Sequence, residues 1–271
     1  RYVATYKLVV TPPLPAEVTH VRETVSAFVR TQNVKNTILQ SFDLMERGEW
    51  DQITDKVAAA CRSGVDLEDH GQFFFREFAE RLERRDNREE YSRFSTGIPD
   101  LDDVMNGGIK SKQLGLIIGG TGRGKSVFLS WLARVAVLHG KKVAYLTLEM
   151  PEDDIASRFD SMFGKVRFSD LRENNEVLRE QLAPYQQRYA DSLVIKEWPA
   201  MQASVWTIKS YLMRLSAMGT HFDMVIVDYL DLIKPHTNYN SATEDVDAIT
   251  KALHGLAKEL NIAIWTAGQL N

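Results

Sequence analysis

The run Gly119-Gly120-Thr121-Gly122-Arg123-Gly124-Lys125-Ser126 carries a G-x4-G-K-S spacing between an apolar run, LGLII at 114–118, and a helical stretch beginning near residue 124. Each residue type has a chemical task there. Glycines let backbone N–H groups wrap a phosphate chain, and a helix starting where the loop ends points its positive pole at the same anion. The ammonium of Lys125 neutralises β and γ oxygens, and the hydroxyl of Ser126 suits a magnesium ion. A glycine-rich turn without a ligand is the alternative, and the strand before it and the helix after it argue against that. ATP and Mg2+ are the expected ligands.

Further polar residues stand at the ends of apolar runs. Met224-Val225-Ile226-Val227 closes on Asp228, and in a parallel sheet the carboxyl ends of strands converge on the ligand crevice. Alone, such an Asp is as readily a turn residue. Beside a phosphate loop it becomes a ligand for the magnesium held by Ser126. The run VAYLTL leads to Glu149, which, if that strand neighbours the phosphate-loop strand, lies near the γ-phosphate as a general base or water-orienting group. Equally, Glu149 precedes Pro151-Glu152-Asp153-Asp154 and reads as one more carboxylate at a helix N-terminus. The spacing leaves both open. Gln269, after the run IAIWT, is either a sensor of the γ-phosphate or an exposed turn amide.

These residues need a frame. After about residue 95, short β-branched runs at 114–118, 143–148, 192–196, 223–228 and 262–266 alternate with helical patterns at 124–139, 152–163, 172–190, 204–218 and 243–260. That alternation predicts an α/β fold with a mostly parallel sheet flanked by helices, spanning 95–271. Residues 1–94 read as an all-helical N-terminal and linker region, with helices over about 17–47 and 50–62 and a third segment from Asp66. The third begins with Phe73, Phe74, Phe75 and Phe78 and runs into RLERRDNREE, whose charges alternate at helical spacing as a solvated face would. The phenylalanines either pack internally or dock on a partner. Pro12 and Pro15 are read as a turn.

Composition bounds the rest. The chain has 271 residues, 44% apolar and 26% charged, which is ordinary for a globular protein. No apolar run approaches the length of a membrane span. Cys61 is the single cysteine, so neither an internal disulfide nor a Cys-rich zinc site is available, and a cytoplasmic compartment is expected. The histidines show no ligand spacing. A net charge of −4 excludes a broadly basic coat for nucleic acid while leaving room for a local basic channel.

Taken together these residues resemble the RecA-type replicative helicases of the DnaB-like group, phage-encoded members in particular. The resemblance rests on Thr96-Gly97-Ile98-Pro99-Asp100-Leu101-Asp102, the phosphate loop, Thr147-Leu148-Glu149-Met150, Val227-Asp228-Tyr229-Leu230-Asp231-Leu232, the stretch Ala257-Lys258-Glu259-Leu260-Asn261-Ile262, and Gly268-Gln269-Leu270-Asn271. It implies a RecA-like core that binds ATP and magnesium through Lys125, Ser126 and Asp228, with Glu149 as the catalytic carboxylate and Gln269 as the phosphate sensor. It also implies a homo-hexameric ring around single-stranded DNA, with a primase or a helicase loader as partners. One central DNA loop maps to about Lys234–Asp245. There Lys234, Asn238 and Asn240 are candidates for phosphate contacts and Tyr239 for base stacking, against a plain surface loop. In the family the arginine finger and a second DNA loop come after the Gln-Leu-Asn sequence, so they are expected beyond Asn271. A recombinase or clock-type signalling ATPase sharing this core, or an ATP-switched loader, is the alternative.

Overall fold

The computed structural model describes residues 72–86, 93–235 and 241–269, with isolated helical positions between Thr31 and Ala60. The chain divides into two compact units, Arg1–Glu83 and Arg84–Asn271. In the first, α1 (Phe78–Asp86) starts within the phenylalanine cluster. Phe73, Phe74, Phe75 and Phe78 are exposed rather than packed internally. Arginines cover part of them, Arg76 lying 4.4 Å from the Phe73 ring centroid and Arg81 4.0 Å from that of Phe74. The helices expected over 17–47 and 50–62 fall largely outside the described residues.

The second unit is built on β3 (Leu114–Gly119), β4 (Val143–Thr147), β5 (Leu193–Glu197), β6 (Met224–Asp228) and β7 (Ala263–Gln269). All are parallel, in the order β3-β7-β6-β4-β5. Every residue of β4 and β6 is buried, which is why these runs are apolar without alternation: helices cover both faces. On one face α3 (Lys125–Leu138) and α4 (Glu152–Gly164) pack Leu129, Leu132 and Phe159 against Tyr145, Ile226 and Trp265. On the other, α6 (Val205–Ala217) and α7 (Ala242–Leu260) pack Ile208, Leu253 and Leu256 against Leu146 and Val227. Each such side chain removed from water contributes about 1.5–3 kcal/mol. The remaining long helix, α5 (Asn175–Tyr189), packs against α4.

Two short strands were not foreseen: β1 (Arg93–Phe94) pairs antiparallel with β2 (Ile109–Lys110), and α2 (Pro99–Val104) lies between them. They are too short to leave a periodic signal. Asp102 instead closes this segment, accepting hydrogen bonds from the Thr96 N–H at 2.7 Å, the Thr96 hydroxyl at 2.8 Å and the Ser95 hydroxyl at 2.5 Å.

The adjacency on which the placement of Glu149 near the γ-phosphate was conditioned is not found. β4 does not neighbour the phosphate-loop strand; β7 and β6 stand between β4 and β3. The crossover leaving β3 passes over the positions that the later strands β6 and β7 come to fill. Sequence order therefore does not give spatial order here.

Candidate nucleotide site

The site is assembled by register. β3 ends at Gly119, which pairs with Gln269 on β7. β6 ends at Asp228, which pairs with Thr147 on β4. The carboxyl ends of β3, β7, β6 and β4 thus lie at one edge of the sheet, where α3 begins. Gly124 caps that helix with φ +81°, and a Cβ there would meet nothing within 4 Å. The backbone angle, not space, calls for glycine.

Lys125 donates to the carbonyl oxygens of Gly119 at 3.0 Å and Gly120 at 3.1 Å, folding its ammonium back over the loop. The Ser126 hydroxyl donates to Asp228 Oδ1 at 3.0 Å, joining residues 102 positions apart. The other carboxylate oxygen, Oδ2, accepts from the Tyr145 hydroxyl at 2.8 Å. Tyr145 and Asp228 are both fully buried. Burial pushes the Asp228 carboxyl above its ordinary range, while hydrogen bonds from Tyr145 and Ser126 and the charges of Arg158 and Lys125 pull it back. For Tyr145, burial and then the adjoining Asp228 charge drive the phenol well up, so it stays a donor. A carboxylate and a hydroxyl are hard oxygen donors and fit magnesium, which takes one or two protein ligands and fills its shell with phosphates and water. Among the described residues no cluster of three or more His, Cys, Asp or Glu offers an all-protein metal cage. Ser126 and Asp228 would hold the ion.

Glu149 is exposed beyond the end of β4. The turn that carries it is shaped by the buried Thr147, whose hydroxyl donates to the Met150 carbonyl at 2.8 Å and accepts from the Met150 N–H at 3.1 Å. Leu148 N–H donates to the Asp228 carbonyl at 2.8 Å, fixing this turn to the end of β6. Helix α4 starts only after its N-cap Pro151, with Glu152, Asp153 and Asp154 in the first turn. The helix-terminal role therefore belongs to those residues. Glu152 accepts from the Glu197 N–H at 2.7 Å and from Lys196 at 3.1 Å, and these bonds hold its carboxyl below the ordinary range. Tyr229 follows Asp228. Lys125 Nζ is 5.8 Å from its ring centroid, and after burial the charge of Glu149 is the largest cause raising its phenol. The Asp228–Tyr229 peptide is cis.

Tyr145, Tyr229 and Arg158 were missed by sequence reasoning. Only Tyr145 left a signal, a phenol in the middle of a buried, largely apolar strand. Arg158, on α4, has a buried Nη1 without a hydrogen-bond partner. Arg123 lies exposed in the loop, and Lys234 is exposed at the start of the expected DNA loop. Asn238, Tyr239 and Asn240 lie outside the described residues. Glu244 and Asp245 occupy the first turn of α7, whose N-cap Ser241 accepts from the Glu244 N–H at 3.3 Å.

A family model, the C-terminal domain of DnaB-like helicases, matches residues 94–271. Among curated relatives, a DnaB-like replicative helicase of Enterobacteria phage T4 is 29% identical over 179 residues, covering 63% of this chain and 38% of the relative. A replicative DNA helicase DnaB of Leifsonia xyli is 29% identical over 180 residues, covering 65% and 38%. The chain thus spans about 38% of the length of these relatives. Among solved structures, a DnaB-like replicative helicase described with its interactions with primase superposes with a TM-score of 0.67 at 17% identity, over 92% of this chain and 59% of that one. A second solved structure, of an ATPase domain, gives 0.64 at 19% identity, over 74% and 72%. These likenesses establish the RecA-like fold.

Proposed function

Because the chain belongs to the DnaB-like helicase family through residues 94–271, we propose that it is the ATPase core of a replicative DNA helicase. One observation carries the reading. Ser126, at the end of a G-x4-G-K-S loop, meets the strand-end Asp228 at 3.0 Å, the pairing that a nucleotide-bound magnesium requires. Magnesium, when bound, supplies charge neutralisation on the β and γ oxygens.

The chain's own residues do the rest. The loop N–H groups and Lys125 bind the phosphates. Glu149, held on its turn by Thr147, takes the proton from the attacking water. Tyr145 fixes one oxygen of Asp228 so that the other faces Ser126. Gln269, paired with Gly119, reports the γ-phosphate. In the assembled protein, six copies ring a single DNA strand. Lys234, Asn238, Tyr239 and Asn240 contact that strand, and a primase or a loader docks on the ring. It works in the cytoplasm of a bacterium or a phage-infected cell. Among the described residues no helix is long and apolar enough to cross a membrane.

The test pairs two measurements. Glu149→Gln is expected to keep ATP affinity and lose turnover by about 10²–10⁴-fold; normal turnover would remove Glu149 from its role. Strand displacement on forked DNA separates a helicase from a recombinase, which would assemble on the strand without unwinding the duplex ahead.

A further inference from the structure

We propose that Asp231 is a positioning residue that links Gln269, at the phosphate end of the site, to the segment leading to Lys234. The proposal rests on the helicase reading above. In β7, Ile264 N–H points toward β3, bonding the Gln113 carbonyl at 3.0 Å, while Ala263 N–H points toward β6, bonding the Asp223 carbonyl at 3.0 Å. Successive N–H groups of a strand alternate in direction, so that of Gln269 faces the β6 side. There the ladder has run out: its last pair is Val227 with Thr266, and β6 stops at Asp228. A side chain takes the place of the missing strand. Asp231 Oδ2 accepts the Gln269 N–H at 3.1 Å, and the same oxygen would lie 4.0 Å from a Cβ built on Gly268.

Asp231 is well placed to pass a displacement on. It sits in the one-turn 3-10 helix Leu230–Leu232, between the buried anchors Leu230 and Ile233. Backbone bonds fasten this segment to the β5–α6 connection: Met201 N–H donates to the Leu232 carbonyl at 2.8 Å, and Lys234 N–H to the Ala203 carbonyl at 2.9 Å. A shift of the Gln269 amide on phosphate binding therefore reaches Lys234 through one carboxylate and a short, tethered piece of chain. The end of β7 and Lys234 become two ends of one hydrogen-bonded connection.

The experiment compares the wild-type protein, Asp231→Ala and Asp231→Asn by ATPase rate with and without oligo-dT, together with mant-ATP affinity. Asp231→Ala is expected to cut the stimulation by single-stranded DNA by about five-fold or more, with mant-ATP affinity unchanged. Asp231→Asn keeps an acceptor oxygen and is expected to retain most of the stimulation. Full stimulation in Asp231→Ala overturns the link. Equal loss in both variants, or a parallel loss of mant-ATP affinity, overturns it too, because the effect would then lie in charge or in folding. A wild-type protein that oligo-dT does not stimulate would instead strike the helicase reading on which the link rests.

Discussion

Asp228 is buried with one oxygen on Ser126 and the other on Tyr145, so its environment is fixed by two hydroxyls from different strands and helices. A buried acceptor that loses its donor bears the desolvation cost with no return, about 1–3 kcal/mol. Tyr145→Phe is therefore expected to lower unfolding free energy by about that amount in urea titrations. Saturating magnesium nucleotide should narrow the gap, since the ion engages the same carboxylate; an unchanged urea midpoint would show that the phenol contributes nothing. That Ser126 and Asp228 come together was expected from the phosphate-loop spacing and the strand-end carboxylate taken jointly, not from either alone. Tyr145 was not, because nothing in VAYLTL says which side chain faces Asp228; that depends on β4 and β6 being neighbours in register, Thr147 against Asp228. For Glu149 the spacing left two roles open; Pro151 rather than Glu149 takes the N-cap, and the strand adjacency on which the other role was conditioned is not found, since β7 and β6 separate β4 from β3.

At the level of elements, the sheet depends on a contact that composition does not reveal. Gly115 on β3 pairs with Trp265 on β7, and a Cβ at residue 115 would come 2.2 Å from the Trp265 ring. Gly115→Val must push the indole out of the α3-covered core, and overpacking of this kind costs about 1–3 kcal/mol. Thermal unfolding should show the loss, with Gly115→Ala milder; a stable Gly115→Val would mean that the indole repacks freely. The Asp102 closure gives a pH-dependent counterpart. Burial acts to raise its pKa, but hydrogen bonds from Ser95, Thr96 and Gly97 outweigh this and leave it lowered. A carboxyl lowered in the folded state stabilises fully above its unfolded pKa of about 3.9 and loses that contribution as pH falls through the lower folded value. Asp102→Asn should therefore destabilise at pH near 7 and approach the wild type only as the pH is taken down through the lowered folded value; a difference that stays constant down an acid titration would show that the ionised carboxylate is not what matters. The longer strands and helices of this unit were foreseen to within about three residues at either end, because each helix carries its own periodicity and each strand is a short apolar run bounded by polar residues. The β1–β2 pair and α2 escaped, being held by long-range hydrogen bonds rather than by pattern.

For the molecule as a whole, the nucleotide should act as a structural component. A ligand that binds only the folded state stabilises it by about 2.7 kcal/mol at a hundred times its dissociation constant, so MgATP is expected to raise the melting temperature of the wild-type protein and leave Lys125→Ala almost unmoved. An equal rise in both would place the binding elsewhere. The sequence by itself determined the α/β class, the G-x4-G-K-S spacing, the carboxylate that closes β6 and the family resemblance, because these are written in local spacing, which survives without knowledge of neighbours. Only the tertiary structure decided which strands lie side by side. It set β7 and β6 between β3 and β4, brought Gln269 level with Gly119, gave Asp228 its partner Tyr145, and let Asp231 stand in where β6 ends. The physical reason is that a parallel sheet is ordered by crossovers that bury its two faces, and the order in which they do so is a property of the whole packed core rather than of any one segment.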